Sequence, residues 1–248
     1  MNDTVVVIHK NIGETPLEAL ERFRTEQVAQ GRVELQGVPM TYAGRLDPMA
    51  EGALIILIGE ECKQKEKYLG LDKTYEVEIL FGIETDTHDM LGIARMPELK
   101  DREYVPLVSF SRYVGIFAQE YPPYSSKTVD GKQLHALARS GELPDELPTK
   151  EVEIYSIAEL EQREISVQDV LLFIQQRIAL VKGDYRQKEI LQRWSDILAH
   201  SAQTFLVIKL KVSCSSGTYM RSLAHRIGQD CGTGACALSI KRTEIRGI

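Results

Sequence analysis

The chain has 248 residues, 43% apolar and 27% charged, with a net charge of −6, which is enough apolar material for a full core and excludes a disordered or fibrous chain. Its longest apolar runs, at 53–58 and 167–174, fall far short of a membrane span, and the N-terminus lacks the basic-then-apolar pattern of a signal peptide. The expectation is a soluble, cytoplasmic protein whose four cysteines, without a C-x-x-C pair or matching histidines, are reduced and largely buried rather than zinc-bound or disulfide-linked.

Hydrophobic periodicity predicts a mixed architecture without a repeating βαβ rhythm. A short strand is expected at 4–9. Thr15-Pro-Leu-Glu18 reads as a capping box with proline at the first helical position, opening a helix to about residue 30. Residues 53–58 read as a buried strand and 60–69 as a polar helix. At 73–81 the alternation puts Tyr75, Val77, Ile79 and Phe81 on one strand face. Helices are predicted at 112–119, at 132–140 with Gly141 as the stop, at 167–180 behind a Ser166 cap, and at 185–200. Strands at 204–212 and 235–241 flank a helix at 218–227.

The charge is unevenly spread. Residues 142–169 carry nine acids against Lys150 and Arg163, whereas residues 207–248 carry seven bases against Asp230 and Glu244. The first segment, with the two helices after it, reads as a helical acidic insertion at about 142–200. The second suggests a basic surface at the C-terminal end, compatible with a nucleic-acid partner.

Four clusters stand out: GRLDPMAEG (44–52); KTY (73–75) followed by GIETDTHDMLG (82–92); PPYSSKTVDG (122–131) running into ALARSG (136–141); and CSSGTYMRSLA (214–224) with IKR (240–242). Taken alone, Asp47-Pro48 has an ordinary reading as a helix N-cap, and Tyr75 and Tyr219 as core residues. The acidic run at 85–89 suits an Asx-turn loop. An EF-hand is excluded there, because Pro97 stands where the bidentate acid is required.

The ordered set resembles the TruB family of tRNA pseudouridine-55 synthases, whose blocks G-x-L-D-P-x-A-x-G, K-x-Y, G-x-x-T-D-T-x-D-x-x-G, A-R-x-G and G-T-Y-x-R occur in this order. The resemblance covers about 5–141 and 205–246. It implies an α+β fold: one catalytic domain spanning the chain, on a mixed, largely antiparallel sheet flanked by helices, with the active site in a cleft across it. Pseudouridine formation moves a base from N1 to C5 attachment without redox change or energy input, so no cofactor is expected, and no P-loop or Rossmann fingerprint is found. The reaction needs a carboxylate nucleophile or base and access to a base normally stacked in RNA.

By resemblance that carboxylate is Asp47. Burial penalises a charged carboxylate, so a cation is needed beside it, and Arg221, from the G-T-Y-x-R block, is expected to form a bidentate pair with it. The resemblance further implies that Tyr75 stacks on the flipped uracil and assists proton movement at C5, that Tyr219 and Ile240 line the pocket, that Asp89 contacts the substrate nucleotide, and that Lys63, Lys127 and Arg139 hold phosphates. Ile240 stands where the family usually has leucine.

Two departures bear on substrate. Tyr42 occupies the place of a family histidine associated with wedging the T-loop, and His135 that of a frequent tyrosine. No C-terminal PUA domain is expected, which opens the way to a weaker RNA grip, another target position or a helper protein. The expected function is isomerisation of uridine 55 in the T-arm of tRNA. The alternatives are a synthase for another RNA position, a non-catalytic RNA chaperone on the same fold, and a glycosidase acting on free nucleosides.

Overall fold

A computed structural model describes residues 4–97, 109–201 and 204–248. Strand β1 (Val5–Lys10) leads into helix α1 (Pro16–Ala29). The capping box closes as predicted, with the Glu18 N–H donating to the Thr15 hydroxyl at 3.1 Å and the Thr15 N–H donating to the Glu18 carboxylate at 2.7 Å. Strands β2 (Met40–Ala43) and β3 (Ala50–Ile58) follow, then a 3-10 segment (Gly59–Gln64), helix α2 (Lys65–Leu69) and strand β4 (Lys73–Phe81). Next come the short pairs β5 (Glu84–Thr85) with β6 (Ala94–Arg95), strand β7 (Gly115–Glu120), β8 (Thr128–Val129) with β9 (Lys132–Gln133), and helix α3 (Leu134–Ser140). Strand β10 (Thr149–Ser166), helices α4 (Val167–Ile178) and α5 (Gln187–Leu198), strand β11 (Thr204–Cys214), helix α6 (Met220–Asp230) and strand β12 (Ala235–Ile245) complete the order.

The main sheet runs β1-β3-β12-β4-β11-β10-β7, with β2 also on β3. Every pairing is antiparallel except β12 with β3, so the expected mixed, largely antiparallel sheet is present. Strand β3 changes partner along its length. Residues 55–58 pair with β2, whereas 50–52 pair with β12. The loop joining β2 to β3, which carries Asp47, therefore opens where the sheet splits. Gly52 permits the split: its φ is +112°, and a Cβ there would meet the Arg242 carbonyl oxygen at 2.1 Å.

Alternation on the central strands builds two cores. Val77, Ile79, Leu210, Val212 and Ala237 pack with Leu223 and Ile227 of α6, while Leu80, Val207, Cys236 and Leu238 pack with Ile174 of α4 and Ile190 and Trp194 of α5. Trp194 is fully buried, so truncation to alanine would cost about 3–5 kcal/mol. Among the described residues no helix is long and apolar enough to cross a membrane, and Cys214 and Cys236 are buried while Cys62 and Cys231 are half-buried, all four free.

The structure departs from the sequence reading in three elements. The helix predicted at 112–119 is a 3-10 turn (Phe110–Tyr113) followed by strand β7, because Gly115 at φ +113° turns the chain out of helical geometry. The acidic run expected within a helical insertion is mostly the 18-residue strand β10, and only α4 and α5 after it are helical. Among its glutamates Glu161 lies opposite Lys209 of β11, while the strand's own base Arg163 pairs with Glu78 of β4 at 2.8 Å. Nor do the C-terminal bases form one surface. Arg221 and Arg242 are buried, and Lys209 pairs with Glu76 at 2.7 Å.

Candidate active site

A cleft of about 1160 Å³ opens at the split in the sheet. Its floor includes Asp47 from the β2–β3 loop, Tyr75 from β4, Ile240 from β12, and Tyr219 and Arg221 at the start of α6. Asp47 is not a helix N-cap. Its carbonyl accepts the Ala50 N–H at 3.0 Å, closing a turn that delivers the chain into β3.

Arg221 is the electrostatic centre of the site. Its side chain is 3% exposed, and its Nε donates to Asp47 Oδ2 at 2.8 Å. The pair is monodentate, not the expected bidentate fork, because the other nitrogens are committed elsewhere: Nη1 donates to the Thr87 carbonyl at 2.8 Å and Nη2 to the Tyr124 carbonyl at 3.4 Å. Asp89 Oδ2 lies 3.6 Å from the same Nε. Burial alone would pull the guanidinium below its ordinary pKa; the carboxylates of Asp47 and Asp89 outweigh it and hold the group above that value. Asp47, at 37% side-chain exposure, thus faces the cleft with one oxygen fixed by Arg221, its sole hydrogen bond among the described side chains.

Asp89 is buried, and desolvation pushes its carboxyl up to about 6 against the opposing pull of Arg221. Its Oδ1 accepts from the Thr87 hydroxyl at 2.7 Å and the Leu91 N–H at 3.0 Å. This loop is braced from behind by His88, whose ring stacks on that of His225 with centroids 3.9 Å apart and planes 6° from parallel. His225 lies one helical turn beyond Arg221 on α6, so the stack ties the Thr87–Asp89 segment to the helix that carries the arginine. Burial drives the His88 imidazole down to about 2, and lowers His225 too, so both rings are neutral at physiological pH.

Burial raises the Tyr75 phenol, while the neighbouring Arg242 guanidinium pulls it back, and burial pushes Tyr219 up to about 12. Both are protonated donors at neutral pH. Tyr219 sits just ahead of α6, where its N–H donates to Gln119 Oε1 at 2.7 Å and its ring meets Tyr121 edge-on at 5.5 Å. Beneath the floor, the buried Arg242 donates to the carbonyls of Ala53 at 2.6 Å and Gly44 at 3.0 Å, shaping the loop that carries Asp47. Desolvation lowers the Lys73 ammonium to about 8.

Of the residues singled out from sequence, the structure brings Asp47, Arg221, Tyr75, Tyr219, Ile240, Asp89 and Arg139 to the cleft. Tyr42, Lys63 and Lys127 are not among its lining. Tyr42 is half-buried on β2 with the Lys65 ammonium 5.1 Å over its ring. Lys63 is exposed and paired with Glu60 at 2.5 Å, and Lys127 lies 5.2 Å over the Tyr121 ring. Asp89 supports Arg221 from a buried position. Sequence reasoning missed Lys150, Lys182 and Arg186, which reach the cleft from the region set aside as acidic, and the carbonyls of Thr87 and Tyr124, which carry no sequence signal. The cleft is lined by eight bases (Arg45, Lys73, Arg139, Lys150, Lys182, Arg186, Arg221, Arg242) against four acids (Asp47, Glu66, Asp89, Asp184), the reverse of the chain's overall balance of −6.

The family model for TruB family pseudouridylate synthases (N-terminal domain) matches residues 34–220. The chain belongs to the TruB family. It is 30% identical over 247 residues to the tRNA pseudouridine synthase B of Bordetella avium, covering 98% of this chain and 81% of that protein. It is 31% identical over 245 residues to that of an Azoarcus species (98% and 65%), and 30% identical over 205 residues to that of Xanthomonas oryzae (81% and 52%). The chain thus spans between about half and two thirds of the length of several curated TruB relatives it matches. The fold matches a crystal structure of a Cbf5-Nop10-Gar1 complex with a TM-score of 0.54 at 18% identity, over 97% of this chain and 48% of that one.

Proposed function

We propose that this TruB-family protein isomerises uridine to pseudouridine in RNA, at position 55 in the T-loop of tRNA, in the cytoplasm. The supporting observation is the carboxylate of Asp47, one oxygen fixed by buried Arg221, at the floor of a cleft whose lining is basic in an otherwise acidic chain. Curated relatives of this chain carry the name tRNA pseudouridine synthase B.

The chemistry breaks the N1–C1′ bond, turns the base and forms a C5–C1′ bond; C5 loses a proton and N1 gains one, so atoms and electrons balance without a co-reactant. Asp47 supplies the nucleophile or base, and attack at C1′, attack at C6 and removal of a 2′ proton all call on this same group. Arg221 fixes its orientation. A flipped uracil would stack on Tyr75 and be walled by Tyr219 and Ile240, with the Tyr75 phenol relaying the C5 proton. Arg139 serves phosphate at the rim, Asp89 acts through Arg221, and Tyr42, Lys63 and Lys127 serve RNA beyond the cleft.

Mass-spectrometric mapping of pseudouridine in a T-arm stem-loop and in total RNA tests the reading. The native protein is expected to modify position 55 and Asp47→Asn to modify nothing. Modification confined to another position would move the substrate assignment, release of free uracil would mark a glycosidase, and no modification of any RNA by the native protein would refute isomerisation.

A further inference from the structure

We propose that the loop joining α4 to α5 is a phosphate clamp for the RNA strand entering the cleft, with Lys182 and Arg186 as its contacts. The proposal rests on the RNA reading above and extends it to a part of the chain that reads, from sequence, as a helical acidic insertion.

The loop is placed with care for so exposed a segment. Leu180, at its start, lies against Gly13, where a Cβ would meet the Leu180 carbonyl oxygen at 2.3 Å; the Gly13 N–H in turn donates to the Pro48 carbonyl at 2.8 Å, next to Asp47. One turn therefore holds both the catalytic loop and the α4–α5 loop. Gln187 donates back to the carbonyls of Val181 at 3.2 Å and Gly183 at 2.7 Å, and Arg139 donates to the Asp184 carbonyl at 2.7 Å. Arg186 holds a left-handed backbone, φ +61°, which turns its side chain onto Asp86 at 2.8 Å with the guanidinium 4.6 Å over the Tyr124 ring.

Tyr124 links this rim to the chemistry, because its carbonyl accepts from Arg221. Arg186 thus sits one residue layer above the arginine that orients Asp47. A nucleotide whose base reaches Asp47 must leave its phosphates at the level of the rim, where Lys182, exposed, and Arg186, half-buried, line the opening. With Nη1 committed to Asp86, the guanidinium over the Tyr124 ring keeps Nε and Nη2 as donors for phosphate oxygens. Most acids of the same region lie on the connection before β10, on β10 and on exposed positions of α4 and α5, off the cleft lining, where they disfavour RNA docking away from the cleft; Asp184, in the loop itself, is the one acid of the region that lines it.

The test uses the full chain and a fluorescent T-arm stem-loop RNA, with dissociation constants measured by anisotropy across salt. Lys182→Gln combined with Arg186→Gln is expected to weaken binding by about tenfold near physiological salt. It should also flatten the plot of log Kd against log salt by about 1.5, the loss of two phosphate contacts. Asp86→Asn removes the ion pair while keeping the arginine, and is expected to leave that slope as in the native protein. Lys182→Gln alone, at an exposed position that cannot unfold the chain, should flatten it by about 0.8. In turnover the loss should fall on KM more than on kcat. An unchanged slope in the double variant overturns the clamp, as does an equal loss in Asp86→Asn, which would make Arg186 a brace for the loop. Pseudouridine yield from native protein is read separately, so native binding without isomerisation would defeat the catalytic reading while leaving the clamp standing.

Discussion

Two arginine–aspartate pairs with the same 2.8 Å separation stand at different depths of one cleft: Arg221 with Asp47 on the floor and Arg186 with Asp86 at the rim. Arg221 is 3% exposed and spends its donors on Asp47 and two backbone carbonyls, whereas Arg186 is 25% exposed, rests on an aromatic face and contacts solvent. Distance alone does not rank them. On the floor, removing one partner strands buried charge, while at the rim water replaces whatever is lost. The difference teaches that the deep pair rests on a buried guanidinium whose loss unsettles the fold, and that the shallow pair is adjustable.

The largest effect that would sharpen this contrast is chemical. Asp47→Asn is expected to reduce pseudouridine formation by at least about a thousandfold while RNA affinity stays within about threefold, measured by single-turnover assay and anisotropy. Equal loss of both in a folded variant would assign Asp47 to structure. Next, Arg221→Met should lower stability by about 3–5 kcal/mol in urea denaturation, because Asp89 is left buried without its cation. A cost no larger than at the rim would erase the distinction between the pairs.

Acid should act on the floor through two groups of opposite sign. Asp89, raised to about 6, is charged above that value and gives Arg221 its second carboxylate; as pH falls through 6 it protonates, and activity should fall with it. Asp89→Asn should lower the plateau and remove that limb of the pH–rate profile. For stability, a carboxyl raised on folding favours the folded state on acidification between about 4 and 6. His88, lowered to about 2, works the other way: the unfolded chain takes up its proton first, so stability falls as pH drops below about 6.5. His88→Asn, which suits the left-handed φ of +64° at this position, should flatten the acid loss by up to about 1.4 kcal/mol per pH unit, read from urea midpoints at pH 7 and 5. The smallest effect is at the rim. Arg186→Gln should cost under about 1 kcal/mol in stability.

Much of the floor was legible because its residues sit in short blocks with fixed spacing, so Asp47, Tyr75, Tyr219 and Arg221 stand out in the chain itself. The expected two-pronged pair was not met, since the carbonyls of Thr87 and Tyr124 compete for the same guanidinium and backbone acceptors leave no residue signature. Tyr42, Lys63 and Lys127 match by position along the chain, but they stand off the cleft lining, Tyr42 in the β2–β3 pairing, Lys63 in an ion pair with Glu60 and Lys127 over the Tyr121 ring.

By itself, the order of residues determined the capping box of α1, the alternation of β4 and β11, the helix that presents Arg221, and membership of a carboxylate-bearing family; each depends on neighbours a few positions apart. Only tertiary structure decided that the glutamate-rich run is a strand, that Arg221 and Arg242 of the C-terminal bases are buried and Lys209 is paired, and that Lys182 and Arg186 line the site. Those outcomes depend on partners far along the chain, such as Lys209 across from Glu161 and Asp86 beside Arg186, and long-range pairing overrides local propensity and segmental charge.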